Sequence, residues 1–252
     1  MPPTPVRADL PELVSEAERA QRDLEVTVAA LDDDAARAPS LLPGWTRGHV
    51  LAHLARNAES HVRLLEAASR GETVEQYEGG VEGRAAAIDA GARRDARELI
   101  DDVSAMAQRL AKTWRSLSDE VWDRTVASNL GPRPAWRLVW SRWREVEIHH
   151  VDLNLAFRPA DWPVEFVHRM LDATTTGLRG PLVTGGTVEL VSADDGTRWT
   201  IGDPGSPRLA AVLGPAASIL AWILGRGASM SDLTATDLGG KPVSLPPLAP
   251  WA

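Results

Sequence analysis

Four long stretches of helical apolar spacing, followed by three short β-branched runs set apart by turn clusters, predict an α+β protein. The expected architecture is a four-helix bundle joined to a small α/β domain. The 252 residues are 44% apolar and 25% charged, enough for a sizeable core in one large or two modest domains. The texture changes after Arg158-Pro159, which assigns the bundle to residues 1–158 and the α/β domain to 159–252.

The first helix is predicted from Pro11 to about Leu31, with Leu13, Ala17, Ala20, Leu24 and Val28 on one stripe. Pro39, Pro43 and Gly44 make the following segment a loop. Thr46 is a helix N-cap by type, and Gly71 a stop, so the second helix runs to about Arg70. Gly79-Gly80 marks a turn. A third helix spans Glu82 to Leu117 with a break near Gly91, Trp122 to Pro134 reads as irregular, and a fourth helix covers Ala135 to Ala156. Trp136, Trp140 and Trp143 share its apolar stripe and are expected in the core. Beyond Pro159, Pro163 to Leu178 reads as helix. Thr187–Ser192, Arg198–Ile201 and Arg208–Val212 read as a β-meander, Pro215 to Leu224 as helix, and the tail is Pro-rich.

Composition excludes several classes of chemistry. The net charge of −8 argues against nucleic acid or an anionic membrane as partner. Cysteine is absent, so the chain has no thiolate metal site and no thiol nucleophile of its own. Met1 to Leu10 holds three prolines and no apolar leader core, and the run from Ala210 to Gly225 is broken by Gly214-Pro215. A soluble cytoplasmic monomer is the expectation. Neither Gly79-Gly80 nor Gly239-Gly240 follows a strand and opens a helix as a phosphate loop does, and there is no Gly-x-Ser-x-Gly elbow.

The histidines are the candidates for chemistry: His49, His53, His61, His149, His150 and His168. His49 and His53 stand four apart on the second helix, and Glu145 and His149 four apart on the fourth. Residues so spaced share a helix face, so either pair can offer two ligands to one metal between facing helices. Imidazoles and a carboxylate without cysteine suit zinc or another divalent first-row metal. Phase speaks for a plainer reading. His49, His53, Arg56 and Ser60 lie opposite the apolar stripe, which makes them a solvated face unless something covers it, and the second domain is the expected cover.

Three segments carry a resemblance. They are Leu42-Pro-Gly-Trp-Thr-Arg-Gly-His-Val-Leu-Ala-His-Leu-Ala-Arg-Asn57, Tyr77-Glu-Gly-Gly-Val-Glu-Gly-Arg84 and Arg144-Glu-Val-Glu-Ile-His-His-Val-Asp-Leu153. In this order they resemble the mycothiol-dependent maleylpyruvate isomerases. The resemblance covers nearly the whole chain and implies a DinB-like metal-binding bundle followed by a small α/β domain. It implies zinc, or another divalent metal, on His53, Glu145 and His149, and gives His49 no ligand role. It further implies a catalytic, substrate-binding arginine at Arg226 in the last helix, and a substrate contact at Arg84. Asp152, on the face of His149, is a candidate to accept from that imidazole.

The implied chemistry uses mycothiol, a low-molecular-weight thiol, to isomerise a small cis-unsaturated keto acid, maleylpyruvate, to its trans form, fumarylpyruvate. Two alternatives keep the fold: a mycothiol S-transferase, and a non-catalytic binding or regulatory protein.

Overall fold

The computed structural model describes residues 6–129, 131–177, 182, 185–203, 205–227 and 230–249. The chain divides into two compact units, Val6–Phe157 and a second from Arg158 onward. The class is mixed α+β.

The N-terminal unit contains α1 (Leu10–Val28), α2 (Asp33–Arg37), α3 (Arg47–Ser69), α4 (Gly80–Gly91), α5 (Ala96–Ser116), α6 (Asp119–Asp123) and α7 (Arg137–Asp152). The long helices α1, α3, α5 and α7 form the bundle: α3 packs against α5 and α7, and α1 against α7 and α5. Leu13, Leu24, Leu51, Leu54, Leu65, Leu99, Leu110 and Trp143 are fully buried in it. Trp136 and Trp140 are buried as well, with Trp140 edge-on to Trp143.

Local chemistry sets the boundaries. The Thr46 hydroxyl accepts from the His49 amide and starts α3. The predicted third helix is two helices, because the Asp95 carboxylate accepts from the Glu98 amide and begins α5 afresh. Gly91 at the end of α4 lies so close to α3 that an added Cβ would stand 2.9 Å from the Ala52 Cβ. The one-turn helix α2 falls between the predicted first helix and the loop from Ala38 to Trp45, in residues assigned to neither; Asp32 caps it by accepting from the Ala35 amide.

Trp122–Pro134 is not irregular. It holds the end of α6 and a two-stranded antiparallel hairpin, β1 (Thr125–Ser128) and β2 (Gly131–Pro134), with Val126 opposite Arg133. Two prolines in four residues hid β2, and only a strand with no further neighbour tolerates them.

The C-terminal unit contains α8 (Val164–Gly177), β3 (Thr187–Ser192), β4 (Arg198–Gly202), β5 (Arg208–Gly214), α9 (Ala216–Leu224), β6 (Thr234–Thr236) and β7 (Pro242–Val243). The sheet order is β4-β3-β5-β6-β7, and β3 pairs with β5 in parallel. The expected meander is therefore wrong. A meander would make β4 central, but β4 alternates exposed and buried as an edge does, whereas β3 buries Thr187, Val188, Leu190 and Ser192.

The link from β4 to β5 crosses the start of β3. The Thr187 amide donates to the Pro207 carbonyl and the Asp203 amide to that of Gly186. Gly202, at φ +108°, permits the crossing, since a Cβ there would overlap the Gly186 carbonyl oxygen. No helix among the described residues is long and apolar enough to cross a membrane.

Candidate metal centre

Two helices of the N-terminal unit bring the site together. His53 projects from α3 and meets Glu145 and His149, one turn apart on α7. The Nε2 of His53 lies 2.8 Å from Oε2 of Glu145, and the Nε2 of His149 lies 3.4 Å from the same oxygen. The two imidazoles meet edge to face at 4.5 Å. One donor atom from each of the three residues lies within 4.8 Å of the others, close enough to share one ion. Two nitrogens and one carboxylate oxygen are a fitting set for a divalent metal with a position left for an exogenous ligand.

Each member is held from behind. The His149 Nδ1 lies 2.9 Å from Oδ2 of Asp152, which is wholly buried. That bond orients the ring and leaves Nε2 facing Glu145, an arrangement common behind metal-bound histidines. Arg84, on α4, donates from Nη2 to His53 Nδ1 at 3.0 Å, and its guanidinium lies 5.5 Å from the centre of the Tyr77 ring. Trp45, just before α3, packs its indole against the His53 ring. Arg142 ties the two ligand helices together: its Nη1 donates to the Leu54 carbonyl at 2.8 Å and to Asn57 Oδ1 at 2.9 Å. Its Nη2 reaches Gln21 of α1.

The electrostatics divide the roles of the two imidazoles. Burial, followed by the neighbouring His149 charge, pushes His53 down to about 4, so it is neutral. Burial would also lower His149, but hydrogen bonds to Asp152 and Glu145 push it up to about 9. Burial would raise Glu145, yet hydrogen bonds from His149 and His53 hold it well below the usual carboxylate range. An anionic Glu145 flanked by two imidazoles is a cation-seeking arrangement, and a metal held there would take the place of the His149 proton.

The remaining histidines have other duties. His49 belongs to the helix cap: its Nδ1 lies 2.8 Å from the Thr46 hydroxyl and 3.2 Å from the Thr46 amide nitrogen, which donates to it. His150 bonds the Thr27 hydroxyl at 2.7 Å and stacks on Phe157. His61 is buried, and burial pushes it down to about 3. His168, in the C-terminal unit, lies 3.7 Å from Asp195.

The face of α3 read as solvated is not so: His53 and Ser60 are each 3% exposed, and α4 and α5 pack along α3. Arg226 belongs to the other unit. It lies just past the end of α9 rather than within it, and its Nη1 donates to the Leu224 carbonyl at 2.6 Å, satisfying a helix-terminal acceptor. The role of Arg142 was missed; its signal was an arginine on the apolar stripe between Val139 and Val146.

Comparison with known proteins decides the family. Residues 17–154 match the model of the mycothiol maleylpyruvate isomerase N-terminal domain. The chain belongs to this family. No curated protein sequence matches the chain. Among solved structures, the chain is similar to a mycothiol-dependent maleylpyruvate isomerase, with 28% identity, TM-score 0.82, and coverage of 94% of this chain and 96% of that one. It is equally similar to a histidine-to-alanine mutant of a protein so described, with TM-score 0.83 at the same identity and coverage. For a member of the maleylpyruvate isomerase family, the convergence of His53, Glu145 and His149 is the geometry to be explained.

Proposed function

We propose that this protein is a metal-dependent cis–trans isomerase of the maleylpyruvate type that uses mycothiol and acts in the cytoplasm on a small carboxylate substrate. The observation that carries the reading is the likeness to a mycothiol-dependent maleylpyruvate isomerase across 94% of this chain; inside the matched family domain stands a triad whose donor atoms are close enough to share one ion. His53, Glu145 and His149 would hold the ion, with zinc the best fit to this donor set.

A bound divalent cation favours the thiolate form of a thiol, and reversible thiolate addition turns a conjugated cis double bond into a single bond that rotates before elimination restores it as trans. The protein's own residues fix the setting for that chemistry. Asp152 orients His149, Glu145 brings negative charge to balance the cation, and Trp45 walls the His53 side. Having no cysteine, the chain must take its thiol from outside. Arg84 and Arg226 are the candidates to clamp substrate carboxylates, a task for which a planar guanidinium fork is suited.

The deciding experiment supplies maleylpyruvate with a small, sub-stoichiometric amount of mycothiol. Many turnovers per thiol support the isomerase. Consumption of one thiol per product indicates the S-transferase, and no reaction with a metal-loaded protein contradicts an enzymatic role. Arg226→Lys tests the clamp. Lysine still complements the end of α9 but cannot form the bidentate pair, so folding and metal content should persist while turnover falls roughly ten- to a hundredfold. Wild-type turnover would remove Arg226 from the reaction.

A further inference from the structure

The contact between Arg84 and His53 has a consequence that follows from donor counting. A guanidinium carries only donors, so His53 Nδ1 must be the acceptor in the 3.0 Å bond. The neutral ring then bears its proton on Nε2, where it donates to Glu145 at 2.8 Å. A metal on Nε2 would force that proton onto Nδ1, which would then be a donor facing a donor. A metal on Nδ1 would occupy the lone pair Arg84 uses. Coordination by either nitrogen therefore excludes the Arg84 bond.

Once off His53, Arg84 has a cleft beside it to enter. It already lines this cleft of about 440 Å³ in the N-terminal unit, with Ser60, Arg63, Gln76 and Tyr77 among the other walls. The carboxylates of that cleft already have arginine partners: Glu59 pairs with Arg56 at 2.9 Å, Glu66 with Arg109 at 3.0 Å and Glu78 with Arg63 at 4.0 Å. Among the described residues Arg84 makes no ion pair; it contacts the His53 nitrogen and the Tyr77 ring. The floor of the cleft is polar and fixed, since the Gln76 amide donates to the Ser60 hydroxyl at 3.1 Å and its oxygen accepts from the Asn129 amide.

We infer that Arg84 is a metal-coupled carboxylate clamp: metal binding at His53 releases it into this cleft, where its guanidinium takes a carboxylate of a small anionic ligand. The inference rests on the metal assignment and on the Arg84 carboxylate clamp proposed above, and adds the coupling between them. Arg84 opposes the metal when it holds His53 and serves the anion when it does not, so metal and carboxylate must each tighten the binding of the other. An anion bound by Arg84 keeps the guanidinium from returning to His53, which links site assembly to the presence of substrate.

Two titrations test it. In the first, zinc is titrated into chelator-treated wild type, Arg84→Ala and Arg84→Gln. Loss of the competing charged hydrogen bond should tighten zinc about tenfold in Arg84→Ala. Arg84→Gln should tighten it as well, because an amide oxygen can accept from a protonated Nδ1. Unchanged or weaker zinc binding in both variants, in a protein whose wild type binds zinc, overturns the coupling and leaves the metal site standing. No zinc binding by the wild type overturns both.

In the second, maleate is titrated calorimetrically into zinc-loaded and chelator-treated protein. Zinc should tighten maleate in the wild type, and the gain should vanish in Arg84→Ala. A gain of equal size in the variant would place the carboxylate on the ion itself and overturn the clamp.

Discussion

Replacing Asp152 by asparagine changes one charge behind the site and little else. The amide oxygen can still accept from His149 Nδ1, so the ring keeps its direction while the buried anion is lost. His149 stands at about 9 against an ordinary 6.5, with burial opposing and Asp152 and Glu145 responsible for the rise. A rise of that size corresponds to about 3 kcal/mol of favourable interaction with the charged ring. If the two carboxylates share it, Asp152 contributes on the order of 1–2 kcal/mol, or about a factor of ten in equilibrium terms. The same anion would face a metal held on His149, and loss of such outer partners typically weakens metal binding by roughly 10–100-fold. Asp152→Asn should therefore weaken zinc at least about tenfold in a competition titration against a chromophoric chelator, with an unchanged circular dichroism spectrum. A folded variant that binds zinc as tightly as the wild type would refute the idea that Asp152 tunes this ligand.

Stability offers two further tests. Arg142→Met leaves the Leu54 carbonyl, Asn57 and Gln21 without their shared buried donor, and at about 1–3 kcal/mol for a buried acceptor left unpaired should cost about 2–4 kcal/mol in urea unfolding; a midpoint shift worth under ~1 kcal/mol would deny Arg142 its role as the tie between α3 and α7. His61 stays neutral in the fold down to about pH 3 but protonates near 6.5 when unfolded, so its contribution is full above pH 6.5 and is lost as pH falls through that window. Between pH 6.5 and 5 the loss is just under ~2 kcal/mol at a limiting ~1.36 kcal/mol per unit, and wild type should lose that much stability relative to His61→Leu; a difference that stays constant with pH would refute it.

What the sequence made legible follows from the range of each interaction. The bundle helices were readable because their apolar residues recur within one or two turns, and the cap at Thr46 because its signal lies within three residues of the amide it binds. The strand order was not readable. The turn between β4 and β5 looks like a hairpin turn locally, and only the two-sided burial of β3 shows that it sits between them. The hairpin at Thr125–Pro134 failed for the opposite reason: Gly131, Pro132 and Pro134 suppress the local strand signal that the pairing with β1 restores.

At the site, the spacing of Glu145 and His149 was visible as one face of one helix. Which histidine of α3 meets them was not, since His49 and His53 share a face. The family likeness indicated His53, and the structure gives a physical reason in the bond between His49 and the Thr46 cap. The Arg84 bond to His53 joins residues 31 positions apart on different helices, a pairing no local pattern encodes.

The central claim is that His53, Glu145 and His149 hold one divalent ion, and metal content per chain tests it most directly. Purified wild type and His49→Ala should each carry about one zinc or other divalent ion per chain, and His53→Ala and His149→Ala should lose it while remaining folded. Full occupancy in the His53 and His149 variants, or no metal in a wild type offered zinc, would contradict the account.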